Sequence, residues 1–371
     1  MVQGRTHFFF AGGGTGGHIY PALAVAGELT RQQPDAEVVF FCSSRAVDAR
    51  VLSGSGYEFL PVPAEGFSAH PVKAIRFFAQ FVKSYYFVKH ILLPERDKAV
   101  VIGAGGFVSG PVILAARSLG IPVCILNVDY VPGKANKMLA RFAQTVFTQF
   151  EETAAYFKRG RDKLVAAGCP LRPAFCDPKP DNARQSLGLE ADKKILLITG
   201  ASSGSLSINQ AVQRILPELA EFAEDWQVVH LTGQTHFEAV HKATEDVAMA
   251  YHTVDYFDAM ADLYAAADII VGRSGAVSIA EYAAAGRPAV CLPYPYHKDK
   301  HQYLNAAGLV RAGGAVIVED VVGDTAKTAA ALMAVLRELM SDPARRERMA
   351  AASRSVAHPD AAARIAEKLL T

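Results

Sequence analysis

Gly272-Arg273-Ser274-Gly275-Ala276-Val277-Ser278-Ile279-Ala280-Glu281 is the stretch around which the chain is organised. Ala284-Ala285-Gly286-Arg287-Pro288 follows it, then Pro293-Tyr294-Pro295-Tyr296-His297-Lys298-Asp299-Lys300-His301-Gln302-Tyr303-Leu304-Asn305. The apolar residues 268–271 read as a strand, and the small residues after it form a loop that opens a helix near Ala276. Such a helix start directs backbone N–H groups at whatever docks there, which makes it a seat for phosphate. Glu281 lies five residues further along the same helix, within reach of a sugar hydroxyl. Gln302 follows the next expected strand, 289–292, and is placed to close over the same ligand. A loop for phosphate, an acid for a ribose diol and an amide beyond suggest a nucleotide-sugar pocket. The plainer reading is one more strand–loop–helix unit of an α/β domain.

Outward from this stretch, the second half repeats the same opening. Residues 194–199 form a strand, Gly200 to Ser205 a small-residue loop, and a helix starts near Leu206. Ser202 stands where a hydroxyl reaches a phosphate beside the helix start. Strands at 227–231 and 254–257 continue the alternation, and Trp226 reads as packing. The first half begins in the same way: a strand at 7–11, Gly12-Gly13-Gly14-Thr15-Gly16-Gly17-His18, and a helix led by Pro21. That pattern marks a sheet domain handling a nucleotide or diphosphate. A dinucleotide-binding fold would place an acid at the end of the second strand to grip the ribose of NAD. Residues 37–41 run instead into Cys42-Ser43-Ser44-Arg45, which disfavours NAD and leaves NADP open through Arg45.

A second glycine-rich turn, Gly103 to Pro111, follows a strand at 99–103 and leads into a helix at 112–118. The two turns are expected side by side at the C-terminal edge of a parallel sheet, where open α/β folds bind ligands. The strand at 123–127 ends before Asp129, which falls on the same rim; its alternative role is turn chemistry before Pro132-Gly133. Residues 72–93 mix Lys73, Arg76, Lys83 and Lys89 with Phe77, Phe78, Phe81, Tyr85, Tyr86 and Phe87. They read as a basic, aromatic helix suited to an anionic membrane surface, or as a core helix with a solvated edge.

With 371 residues, 51% hydrophobic and 20% charged, the chain is long enough for two globular domains. A formal charge of +1, from 38 basic and 37 acidic residues, speaks against nucleic acid as a partner. Five cysteines without a Cys-x-x-Cys pair suit a reducing compartment. No secretory signal or membrane-spanning run is visible. Neither an Asp-x-Asp pair nor a His/Cys cluster with metal spacing occurs, so no obligatory metal or other cofactor is expected. The proline-rich, aperiodic residues 168–193 read as a linker. The fold class is therefore α/β with two doubly wound, Rossmann-like domains: an N-terminal one over 1–167 and a C-terminal one over 194–345. The helical residues 346–371 are expected to pack back on the first.

Several of these blocks carry a resemblance. Gly13 to His18 with Pro21-Ala22, Gly105 to Pro111, Gly168-x-Pro170-x-Arg172, Arg273 to Glu281, and His301-Gln302 with Asn305 together resemble the MurG family. These peripheral membrane glycosyltransferases move N-acetylglucosamine from UDP-N-acetylglucosamine to undecaprenyl-diphosphate-linked N-acetylmuramoyl-pentapeptide, completing lipid II for peptidoglycan. The resemblance covers nearly the whole chain in order. It implies the glycosyltransferase B architecture, two Rossmann-like domains facing across a cleft, working at the cytoplasmic face of the membrane. Carried over, Thr15, Gly16 and Gly17 resemble the loop near the diphosphates, and Arg172 and Ser202 match donor-phosphate positions. Phe257 matches the residue whose backbone meets the uracil. Ala276, Val277 and Ser278 match the helix start that leads to the ribose glutamate Glu281. Gln302 matches a sugar contact, and Asn127 joins the substrate-binding set. Glu281 counts with the two candidate bases, His18 and Asp129, among the catalytic positions. Leu126-Asn127-Val128-Asp129 stands where the family usually has His-Glu-Gln-Asn, and Ser203 where a glutamine is usual. The implied reaction is a single inverting displacement at the anomeric carbon. Another membrane lipid is the alternative acceptor.

Overall fold

The computed structural model describes the chain except residues 1–5, Thr15, residues 67–69, Arg159, Ser202 and the side chains of residues 71–73. The readings of Thr15, Ser202 and the Lys73 side chain lie outside the described residues. Two compact units divide the chain: residues 1–172 with 358–371, and residues 173–357.

The first unit runs β1 (His7–Ala11), α1 (Gly16–Gln32), β2 (Glu37–Ser43), α2 (Ala46–Ser53), β3 (Glu58–Val62), α3 (Pro71–Glu95), β4 (Ala99–Gly103), α4 (Ser109–Ser118), β5 (Val123–Asn127), α5 (Lys134–Leu139), β6 (Thr145–Thr148) and β7 (Leu164–Ala166). Its strands form one parallel sheet in the order β3-β2-β1-β4-β5-β6-β7. The central strands are apolar without a break because both faces are covered. Phe9 and Ala11 join the core with Val88, Leu92 and Val112 from α3 and α4. Phe8 and Phe10, one residue out of phase and just as buried, turn to the opposite face.

The second unit contains α6 (Pro180–Ser186), β8 (Lys194–Thr199), α7 (Leu206–Leu219), β9 (Trp226–Leu231), α8 (Phe237–Thr244), β10 (Tyr251–Val254), α9 (Met260–Ala266), β11 (Ile269–Gly272), α10 (Ala276–Ala285), β12 (Ala289–Cys291), α11 (His301–Ala312), β13 (Ala315–Ile317), α12 (Thr325–Ser341) and α13 (Pro343–Ser355). Its parallel sheet has the order β10-β9-β8-β11-β12-β13. Counted from its own first strand, this is the 3-2-1-4-5-6 winding of a Rossmann domain, and the first unit has the same winding with β7 added.

Where the chain passes from one unit to the other differs from the sequence-based expectation. Residues 173–193 are part of the second unit instead of a linker. Its helix α6 packs on α9, and the Lys179 N–H donates to Asp262 Oδ1 at 2.7 Å. The prolines that break periodicity there bound a short helix that still has a surface to cover. Within the expected tail, α13 also stays with the second unit. Its Arg354 donates to the Gly286 carbonyl (3.3 Å), and its Arg346 guanidinium lies 5.0 Å from the Trp226 ring centroid. Only α14 (Ala361–Leu370) returns to the first unit. It packs on α1 through Ala362, Ile365, Ala366 and Leu369, a buried stripe at helical spacing. Other element bounds also differ from the expected ones. Helix α1 begins at Gly16, so Pro21 lies inside it, α4 begins at Ser109 instead of 112, and β10 spans Tyr251–Val254 instead of 254–257.

A buried polar triad sits in the second unit. His230 lies between the Tyr251 hydroxyl (2.7 Å) and Asn209 Oδ1 (3.0 Å), while Asn209 Nδ2 donates to the Thr232 carbonyl (3.0 Å). Burial pushes the His230 imidazole down from 6.5 to about 3. The unfolded chain therefore takes up this proton at a pH where the folded chain refuses it. The contribution of His230 to stability is complete above pH 6.5 and is lost as the pH falls toward 3. The slope is about 1.4 kcal/mol per pH unit. Urea unfolding from roughly pH 7.5 down to 5 is expected to show wild type losing stability more steeply than His230→Gln.

Candidate active site

In each unit the sheet order turns back at its middle, between β1 and β4 in the first and between β8 and β11 in the second. Loops leaving such a strand pair diverge to opposite faces and expose the backbone at their ends.

In the second unit this point opens into a cavity of about 600 Å³, within the range of ligand pockets. Its wall takes in the first turns of four helices: Leu206 and Ser207 of α7, Ser278 of α10, Gln302 of α11 and Thr325 of α12. Helix α10 starts from Gly275, which has no side chain to cap it. Convergent helix N-termini favour an anion. The loop ahead of α7 is tightly constrained. Gly204 has φ 72°, and a Cβ there would meet the Thr232 carbonyl oxygen at 2.0 Å, so only glycine fits. Ala201 also adopts a left-handed φ of 62°.

Arg273 holds this wall together. Its Nη1 donates to Asp320 Oδ2 (2.8 Å) and the Leu292 carbonyl (2.8 Å), and its Nη2 to Ser205 Oγ (2.7 Å) and Ser207 Oγ (2.8 Å). With all four Nη hydrogens engaged, the guanidinium braces three loops. Asp320, only 5% exposed, balances its charge. The Gln302 side-chain oxygen accepts from the Tyr294 N–H at 2.8 Å and pins the loop between β12 and α11. Tyr294 and His297 of that loop and His301 at the start of α11 meet as tilted rings, with centroids 4.7 and 4.1 Å apart in succession. The hydrogen bond from His301 holds the Asp299 carboxyl below its ordinary range.

In the first unit the two glycine-rich turns touch, because a Cβ on Gly106 would lie 2.7 Å from the Gly13 carbonyl oxygen. Ser109 Oγ joins them, donating toward the Ala11 (2.8 Å) and Gly105 (2.9 Å) carbonyls. The His18 ring lies against Gly105, and its Nδ1 is 3.2 Å from the Gly13 carbonyl oxygen. Asp129 follows β5 on the same sheet edge, half-buried. Asn127 is 2% exposed, donates to the Asp129 carbonyl (2.7 Å) and accepts from Asn136 Nδ2 (3.0 Å). It shapes the Asp129 loop from beneath instead of facing outward.

Of the residues expected at the donor site, Ser278 and Gln302 line the cavity. Ala276, Val277 and Glu281 lie on the same helix α10, and Phe257 lies beyond β10; all four are outside that lining, and Glu281 is half-buried. Arg172 remains in the first unit, its guanidinium 4.8 Å from the Tyr20 ring centroid. Gly16 and Gly17 open α1. Arg45, the residue that left NADP open, donates to the Gly14 carbonyl (3.1 Å) and sits 5.4 Å from the Phe107 ring centroid. The sequence reading missed Asp48, Ser109 and Asp320. Asp48 was hidden because an acid in the first turn of a helix is ordinary dipole chemistry. Cys291, at the end of β12, is pushed up to about 12 by burial, which keeps its thiol protonated.

Comparison with known proteins places both units in one enzyme class. Residues 8–148 match the glycosyltransferase family 28 N-terminal domain and residues 195–365 its C-terminal domain. A Salinibacter ruber protein is 37% identical, covering 100% of this chain and 98% of its own. A Desulfitobacterium hafniense protein is 35% identical over 97% of each. Both are named UDP-N-acetylglucosamine--N-acetylmuramyl-(pentapeptide) pyrophosphoryl-undecaprenol N-acetylglucosamine transferase. The chain belongs to this family, the MurG family. Crystalline MurG of Acinetobacter baumannii superposes with a TM-score of 0.71 at 27% identity, covering 98% of both chains. A UDP-GlcNAc 2-epimerase of Neisseria meningitidis shares the fold alone, with a TM-score of 0.69 at 16% identity over 98% of this chain and 99% of its own.

The Arg273–Asp320 brace yields a stability prediction. Asp320→Ala strands a buried guanidinium and is expected to lower the unfolding free energy by about 3–5 kcal/mol in denaturant titration.

Proposed function

We propose that this protein transfers N-acetylglucosamine from UDP-N-acetylglucosamine to undecaprenyl-diphosphate-linked N-acetylmuramoyl-pentapeptide, a step of peptidoglycan synthesis on which cell shape and division depend. The observation that carries this reading is the cavity at the β8–β11 switch point, walled by helix starts and Gln302. It belongs to a chain similar over its whole length to enzymes named for that reaction. The helix N-termini suit the donor diphosphate, and Glu281 and Gln302 are assigned to the donor sugars. The first unit's glycine-rich edge, with His18 and Asp129, is assigned to the acceptor.

The acceptor hydroxyl attacks C1 of the hexose from the side opposite the phosphate. The C1–O bond to UDP breaks as the new glycosidic bond forms, configuration inverts, and the hydroxyl proton passes to a base. Preorganised dipoles at the departing diphosphate stabilise the charge that develops there. His18 and Asp129 are the two candidate bases. His18→Ala is expected to lower kcat roughly a hundredfold or more, with UDP affinity by calorimetry unchanged. Full turnover by Asp129→Asn assigns the base to His18, and the reverse pattern assigns it to Asp129.

The protein works peripherally at the cytoplasmic face of the membrane in this reading, docked through residues 72–93. Among the described residues no helix is long and apolar enough to cross a bilayer. Helix α3 packs on α4 through the side carrying Ser84, Val88 and Leu92, and turns Ile75, Phe78, Val82 and Tyr86 outward at helical spacing. Ile75 is 72% and Phe78 61% exposed, and the same helix carries Lys83, Lys89 and Arg76, the last paired with the Glu65 carboxylate at 2.6 Å. Apolar rings flanked by cations suit an anionic interface. The double variant Ile75→Glu, Phe78→Glu is expected to lose co-sedimentation with anionic vesicles roughly tenfold or more. Its turnover of a water-soluble acceptor analogue is expected to be unchanged.

A further inference from the structure

Arg45, in the loop between β2 and α2, and Asp48, in the first turn of α2, grip one residue of the first glycine-rich turn. Asp48 has 0% exposure. Both its carboxylate oxygens lie 2.9 Å from the Gly14 nitrogen, and Oδ2 also accepts from the Ser43 N–H (3.0 Å) and hydroxyl (2.6 Å). On the other side of the same residue, Arg45 Nη1 donates to the Gly14 carbonyl at 3.1 Å. The fit is close enough to exclude a side chain on the neighbouring residue. A Cβ on Gly13, whose φ is 156°, would come within 2.2 Å of Asp48 Oδ2. Gly14 is thus held at both ends, and the orientation of the Gly13 carbonyl just before it is set.

That carbonyl is the partner of His18 Nδ1. A carbonyl oxygen accepts and never donates, so the nitrogen facing it carries the proton, and a neutral imidazole then holds its lone pair at Nε2. Gly105 closes in on the ring from its Cδ2 edge, since a Cβ there would lie 3.0 Å from His18 Cδ2. We infer that Asp48, seconded by Arg45, is a positioning residue for the transfer reaction. By pinning Gly14 it holds the Gly13 carbonyl on Nδ1 and keeps His18 as the Nδ1–H tautomer, with Nε2 as the proton acceptor. This rests on the reading of His18 as base.

Asp48→Asn keeps the shape but turns one acceptor into a donor, so the Gly14 N–H faces an N–H₂ group in either amide orientation, and Ser43 does so in one of them. In full-length protein the expected result is a loss in kcat of roughly tenfold or more, with KM for UDP-N-acetylglucosamine within about threefold. In a His18→Ala background the same substitution is expected to add no further loss. ¹⁵N-histidine spectra, with His18 assigned by its absence in His18→Ala, are expected to show the Nδ1–H form in wild type and a mixture of tautomers in Asp48→Asn. An unchanged tautomer and kcat, or an equal loss with and without His18, overturns the inference. Should His18→Ala turn over fully, the base reading falls, and the spectra still decide whether Asp48 sets the tautomer. Should Asp48→Asn not fold, Arg45→Ala, at an exposed side chain, takes its place in the same cycle. An expected loss of roughly threefold that disappears without His18 supports the inference, and no loss overturns it.

Discussion

A parallel sheet that reverses its order at the middle strand obliges the two loops at that point to leave toward opposite faces. The space between them has nothing to fill it except backbone and what the chain sets there. Both units obey this constraint with the same winding. The features bearing on function follow from it: glycine turns at β1 and β4, glycine and serine turns at β8 and β11, and helix starts aimed into the gap. Hydrogen-bond donors fixed by secondary structure need no reorganisation when charge develops opposite them, and that is the physical economy of the arrangement.

The strands and glycine turns were legible because they are written locally. An unbroken apolar run such as Phe8-Phe9-Phe10 or Val100-Val101-Ile102 signals a strand covered on both faces, and a glycine cluster after it signals the turn. The pairing of two turns on one edge was readable for the same reason. What was not legible depends on residues distant in sequence. Arg273 and Asp320 are 47 positions apart, and nothing in either neighbourhood announces the pair. Asp48 acts on Gly14 across 34 positions. Residues 173–193 looked structureless because prolines interrupt their period, yet Lys179 and α6 find partners on α9. The start of α1 was misplaced because Pro21 resembles a first-turn proline, whereas Gly16, Gly17 and His18 already lie in the helix.

The two units brace their glycine turns in a parallel way. In each, an arginine and a carboxylate from neighbouring segments hold the turn: Arg45 and Asp48 in the first, Arg273 and Asp320 in the second. Each brings one cation and one anion, so the turn is stiffened without adding a net field of its own. Attraction for an anionic ligand is left to oriented backbone dipoles, which fall off within a turn of helix and therefore select by position more than by total charge. The chain as a whole, with a formal charge of +1, is consistent with local instead of bulk attraction.

The return of α14 to the first unit has a consequence for how the molecule is made. A ribosome delivers residues 1–172 first, then all of the second unit, and only afterwards residues 358–371. Until then the groove on α1 that receives Ile365 and Leu369 lies uncovered during synthesis. The unit begun first is therefore finished last, and the second unit can close its own sheet while the first still waits for its final helix.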